Sequence, residues 1–291
     1  MATAAAAFRH RQIVLDGLSI HAVERGPANR PAVLFLHGWP QDWSSFEAVM
    51  GALGDDRRLV AIDLPGIGLS EGALPSSDKR MIARCVRRLV DALELREVTL
   101  AGHDVGAMVV FAYLHEFPDE LSRAVLMNSA IPGVEPWSQV VRHPKTWHFA
   151  FHALTELPEL LVTGHQAAYF DYFFNMLSAH RGGVPTTARA AYARAYRRPA
   201  ALGTGFDWYR ALEQDEQHNL EMRDRPLRTP VLYLRGQREL GSMDDYLRGL
   251  RAAGLHDLRG TLIPDSGHYA PDEQPRAVAQ AIGRFIGALA P

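Results

Sequence analysis

Apolar positions along the chain fall into two kinds of run. Short, mainly apolar runs of buried type occupy 32–36, 59–62, 98–101, 124–127, 231–234 and 258–263. Runs of this kind and length predict strands of a parallel sheet covered on both faces. Between them, stretches at 46–53, 79–93, 107–116, 244–253 and 276–289 read as helices. Strand–helix alternation of this kind specifies an α/β architecture. Ahead of the series, runs at 12–15 and 19–23 flank Asp16–Gly17, which predicts a hairpin. The alternation breaks between about Gly133 and Arg225. That segment carries Tyr169, Tyr172, Tyr192, Tyr196 and Tyr209, with turn signals at Gly182–Gly183 and Arg198–Pro199. It reads as a helical cap inserted into the sheet domain, so 1–133 and 226–291 form the predicted core and 134–225 the cap.

Composition narrows the function classes. The 291 residues hold 31 Lys+Arg and 33 Asp+Glu, a net charge of −2. That balance gives no electrostatic footprint for nucleic acid or an anionic membrane surface. No apolar run reaches the 18 or so residues a membrane helix needs, and the N-terminal alanines followed by charge lack a signal-peptide core. The single cysteine, Cys85, sits in an amphipathic helical pattern, where a small core residue is expected. No intramolecular disulfide is possible, which leaves the compartment open but fits the expected cytoplasmic location. Nothing in the pattern specifies an oligomeric state.

The segment Val98–Met108 carries the most chemical information. A predicted strand ends, Gly102 and Gly106 bracket Asp104, and a helix begins. This G-x-nucleophile-x-G elbow lifts the bracketed residue above the sheet edge. A carboxylate in that place is already ionised at neutral pH and needs no base for its first attack. On an ester carbonyl it would give an unproductive anhydride. On a saturated carbon it gives an enzyme ester that water can cleave, so the substrate carries a leaving group there, an epoxide oxygen or a halide. The residues alone leave open that Asp104 simply caps the following helix.

Two further segments support the elbow. Leu36–Pro40 follows a predicted strand and precedes a helix, so the backbone N–H of Trp39 can join that of Val105 to hold an oxyanion. Near the C-terminus, His268 lies in Asp265–Tyr269, just after the last strand, where a general base is expected to activate water.

Taken together, His37–Pro40, Asp63–Ser70, Gly102–Gly106 and Gly267–His268 resemble the α/β-hydrolase fold over nearly the whole chain. More narrowly, they resemble its aspartate-nucleophile branch of epoxide hydrolases, haloalkane dehalogenases and fluoroacetate dehalogenases. The resemblance implies an eight-stranded, mostly parallel sheet with a helical cap, and no metal or cofactor. Asp63 reads as turn architecture. Haloalkane dehalogenases usually carry Trp after the nucleophile, and fluoroacetate dehalogenases arginines; this chain has Val105 and Met108 there. Epoxide hydrolases tolerate an apolar residue at that point but need a cap donor for the ring oxygen. By resemblance, Phe206–Ala211 supplies Tyr209, and Trp147–His152 supplies His148 as second donor. The His148/His152 pair lacks the Glu of a zinc-protease helix, so no metal is expected.

The same resemblance offers two places for the acid that orients His268. After the run at 124–127 stands Asn128, which is no carboxylate. After the run at 231–234, Glu239 stands where relatives carry Asp. Asp244 and Asp245 compete, although they read as the start of the next helix. The reading is therefore an epoxide hydrolase turning a small-molecule epoxide and water into a vicinal diol. A dehalogenase with the same nucleophile and a non-hydrolytic ligand-binding relative are the alternatives.

Overall fold

The structure is a computed structural model that describes residues 7–287. Its sheet has eight strands, β1 Arg9–Leu15, β2 Leu18–Arg25, β3 Ala32–Leu36, β4 Arg58–Ile62, β5 Thr99–His103, β6 Arg123–Met127, β7 Val231–Gly236 and β8 Leu258–Ile263, in spatial order β1-β2-β4-β3-β5-β6-β7-β8. The β1–β2 and β2–β4 pairs are antiparallel and the remaining pairs parallel. The predicted hairpin is present, with Leu15 opposite Leu18 and both turn residues at positive φ, Asp16 at 45° and Gly17 at 84°. Both central residues of a type I′ turn require that conformation.

Helices α1 Glu47–Leu53, α2 Lys79–Ala92 and α3 Val105–Glu116 interleave with the strands, and α11 Met243–Ala252 and α13 Pro275–Gly287 follow β7 and β8, with the short α12 Ala270–Glu273 between β8 and α13. The last residues of the final predicted helix, 288 and 289, lie outside the described residues. Strand alternation divides the core in two. Leu34 and Leu36 belong to one cluster with α2 and α3 side chains such as Ile82 and Val109, while Val33 and Phe35 belong to another with Val49 of α1 and Phe285 of α13. Side chains of successive strand residues point to opposite faces, so both faces of an unbroken apolar run are buried. Cys85 is buried in the first cluster, and burial pushes its thiol up to about 11.

Between β6 and β7 the chain runs through seven helices: α4 Trp137–Val140, α5 His148–Ala153, α6 Leu157–Val162, α7 Gln166–Leu177, α8 Thr186–Ala195, α9 Pro199–Arg210 and α10 Leu212–Met222. A buried ion pair ties this insertion to the sheet domain. Asp78 caps α2 by accepting from the Met81 N–H at 2.9 Å. The next residue, Lys79, places its Nζ 2.8 Å from Asp215 of α10, its backbone N–H donates to the same carboxylate at 2.7 Å, and its ammonium also donates to the Trp208 carbonyl. Both side chains are 3% exposed. Breaking a buried pair strands one charge, so Asp215→Ala should lower unfolding free energy by about 3–5 kcal/mol. Urea denaturation checks this; a loss below about 1 kcal/mol would show that the ammonium finds other partners.

Candidate active site

The elbow forms as its sequence requires. Asp104 has φ 50° and ψ −118°, joining β5 directly to α3. A side chain at Gly102 would collide with the Gly106 carbonyl, and one at Gly106 with the carbonyls of Leu36 and His37. Only glycine permits those approaches. The backbone N–H of Asp104 donates to Met127 on β6 at 3.0 Å. Its side chain makes no capping hydrogen bond to α3, so the helix-cap alternative finds no support here.

Asp104 Oδ2 instead accepts from the backbone N–H of Trp39 at 2.9 Å, across the turn after β3. Gly38 permits this contact, because a Cβ there would strike the Asp104 side chain. Burial raises the proton affinity of Asp104, while His268 and the N–H groups of Trp39 and Val105 favour its charge. The N–H groups of Trp39, after β3, and Val105, at the start of α3, are those expected for the oxyanion. The second carboxylate oxygen, Oδ1, faces His268 Nε2 at 4.0 Å.

His268 donates from Nδ1 to Glu239 Oε1 at 2.8 Å. Burial opposes the protonated ring, but the hydrogen bond and charge of Glu239, then the charge of Asp104, raise its proton affinity above the usual histidine value. Glu239 lies in the turn after β7. Burial disfavours its charge; Arg235, His268 and Asn128 outweigh this and hold it down to about 2. Arg238, its sequence neighbour, pairs with Asp265 at 3.0 Å rather than with Glu239. Asp244 and Asp245 occupy the first turn of α11 behind the Ser242 cap.

Two supports of Glu239 were not anticipated from sequence. Asn128, at the position noted for lacking a carboxylate, donates to Glu239 Oε2 at 2.8 Å and to the Gly267 carbonyl at 3.1 Å. Arg235 stacks over the Tyr246 ring at 4.0 Å and sits 3.5 Å from Glu239 Oε2. The available signal was an arginine one residue from the end of an apolar strand, four residues before the acid.

A cavity of about 220 Å³ opens over these groups and is lined by Trp39, Asp104, His268, His148, Tyr209 and Met108, among others. Tyr209 of α9 and His148 of α5 face each other with ring centroids 5.6 Å apart. Burial, then the charge of Asp104, keeps the Tyr209 phenol protonated well above its ordinary range. Burial pushes His148 down to about 3, so its ring is neutral. His152 bonds the Tyr169 hydroxyl at 2.7 Å, and its ring lies 5.4 Å from that of His148. Asp63 accepts from the N–H groups of Trp43 and Leu69 and from His21, the architectural role expected of it.

Residues 31–275 match the family model described as alpha/beta hydrolase fold. This chain belongs to the alpha/beta hydrolase fold family. Among relatives of this hydrolase is the soluble epoxide hydrolase of Corynebacterium sp., 28% identical over 96% of the chain and 98% of that protein. Epoxide hydrolase 4 of Homo sapiens is 23% identical over 93% of the chain and 76% of its own length. Among solved structures, wild-type Cfl2 from Burkholderia cenocepacia superposes with a TM-score of 0.86 at 32% identity, covering 96% of the hydrolase and 95% of that chain. No helix among the described residues is long and apolar enough to cross a membrane.

Proposed function

We propose that this protein is an epoxide hydrolase that works through an ester of Asp104, with the helical segment 134–225 serving as a cap over a core of 1–133 and 226–291. The observation that carries the reading is the split environment of one carboxylate: Oδ2 is held by the Trp39 N–H, while Oδ1 is free toward the cavity and His268. Oδ1 attacks an epoxide carbon and the ring C–O bond breaks. The leaving oxygen takes a hydrogen bond and then the proton from Tyr209, with the neutral His148 ring as second donor. A hydroxyalkyl ester of Asp104 results, and its carbonyl oxygen is the Oδ2 that the Trp39 N–H already holds, with the Val105 N–H beside the same carboxyl group. His268, oriented by Glu239, takes a proton from water, which attacks Cγ. The oxyanion rests on the same two N–H groups. The bond between Cγ and the ester oxygen then breaks, and the departing alkoxide takes the second proton of the water from the new carboxyl group. The diol leaves with Asp104 again a carboxylate, and the proton on His268 returns to Tyr209 through solvent.

A panel of terminal, aryl and disubstituted epoxides beside matched haloalkanes tests the activity. Diol formation without halide release is expected; halide release without diol would transfer the assignment to a dehalogenase.

The pH dependence follows from the raised proton affinity of His268. The ring must be neutral to act as base, so turnover should rise with pH through a value above 6.5 and be lost as pH falls below it. Glu239→Gln removes the strongest group favouring the protonated ring. Its acid limb should therefore move to lower pH while the maximal rate drops by about 10²-fold. A rate–pH profile with an unmoved limb would mean that Glu239 does not set the base.

A further inference from the structure

Behind the site, a chain of hydrogen bonds poses a proton-counting problem. His103, fully buried beside Asp104, places Nε2 2.7 Å from the His268 backbone carbonyl and Nδ1 2.8 Å from the Gln41 side-chain oxygen. Gln41 Nε2 lies 2.7 Å from Asp272 Oδ2, and Tyr192 donates its hydroxyl to Asp272 Oδ1 at 2.7 Å. A carbonyl only accepts, so Nε2 must carry hydrogen. In this arrangement Nδ1 also faces an acceptor, which would require an imidazolium. Burial pushes His103 down to about 3, so its ring is neutral and Nδ1 is a lone pair. The amide of Gln41, whose oxygen and nitrogen exchange by a half-turn, must then offer its NH₂ to Nδ1. Its oxygen thereby turns toward Asp272, and two acceptors meet unless the carboxyl holds a proton.

We propose that Asp272 is a neutral carboxylic acid in the working enzyme, and that its proton completes the chain Asp272–Gln41–His103 that fixes the main-chain position of His268. Asp272 is a positioning residue: it touches neither substrate nor the reacting atoms. The groups around it agree with a bound proton. Burial raises its proton affinity most, to about 7, and the carboxylates of Asp42 and Glu273 push the same way against the hydrogen bonds from Tyr192 and Gln41. Glu273 accepts from the N–H groups of Ala179, Gly267 and Tyr269, as an ionised carboxylate does. Asp42 is itself pushed up to about 6 by burial and Asp63, and its Oδ1 accepts from Ser44. The neighbouring Tyr269 phenol stays protonated, and Arg189, the nearby cation, pairs with Asp171. Above the pKa of Asp272 the chain holds one proton too few, Gln41 can satisfy only one neighbour, and the carbonyl of His268 is less firmly held.

The consequence for turnover rests on the role given to His268, but the proton itself is readable without activity. Infrared difference spectra of wild type against Asp272→Asn should show a protonated carboxyl stretch that disappears as pH rises through about 7. Asparagine keeps an NH₂ for the Gln41 oxygen and an acceptor for Tyr192, so it mimics the protonated state at every pH. In single turnovers, the ratio of wild-type to Asp272→Asn ester hydrolysis should fall about fivefold from about pH 6 to about pH 9, the worth of one hydrogen bond. Asp272→Ala should be slower than Asp272→Asn throughout. A missing carboxyl band at about pH 5, a flat ratio, or an asparagine variant no better than alanine would each overturn the proposal. A titrating band in a protein inert toward every epoxide would instead refute the activity and leave the proton in place.

Discussion

His268→Gln should stop the reaction halfway. Ring opening needs Asp104 and a proton donor, and neither is altered by this change. Ester cleavage needs a base within reach of Cγ, and Gln has none to offer. A stoichiometric adduct should therefore build up, with a mass increase equal to the entire epoxide, while steady-state turnover falls by about 10³-fold or more. Peptide mapping should locate the adduct on the segment containing Asp104. Asp104→Ala, in contrast, should form no adduct and lose at least about 10⁴-fold in turnover, because no other nucleophile faces the cavity at that turn. An adduct lighter by a halide, or one that still forms in Asp104→Ala, would contradict the assignment.

Tyr209→Phe should damage the other half of the cycle. The phenol is buried and protonated at any working pH, so it can donate but does not act as a base. Removing its hydroxyl should slow ester formation by about 10²–10⁴-fold, the usual contribution of a positioned acid. Phenylalanine retains the ring packing against Trp39, Phe149 and His152, so the fold should be intact. His148→Phe should cost less, and the double variant should approach the uncatalysed ring opening. Rapid-mixing measurements resolve the two steps. If Tyr209→Phe slowed hydrolysis of a preformed ester and left alkylation unchanged, the donor role would belong to another group.

The sheet was legible from sequence because its central strands are buried on both faces. A run such as Ala32–Leu36 has no polar position to confuse its reading, and β8 matches its expected span from Leu258 to Ile263. Asp104 stood out because two glycines isolated it. The partners of Glu239 were hidden for a different reason. Asn128 directly follows β6 and Arg235 is the last residue but one of β7, strands that are neighbours only in the folded sheet, and neither residue type announces a role alone. The Asp272–Gln41–His103 chain was hidden further, since Gln41 and Asp272 lie 231 positions apart and their meaning is a count of protons.

In the proposed cycle, the groups that cleave the ester sit at the carboxyl ends of core strands, whereas Tyr209 and His148 belong to α9 and α5 of the insertion. The two half-reactions thus have separate addresses in the chain. Remodelling the inserted helices can alter which ring is admitted and how it opens while the machinery for releasing product stays as built, so a lineage could diversify its diet without relearning how to finish the meal.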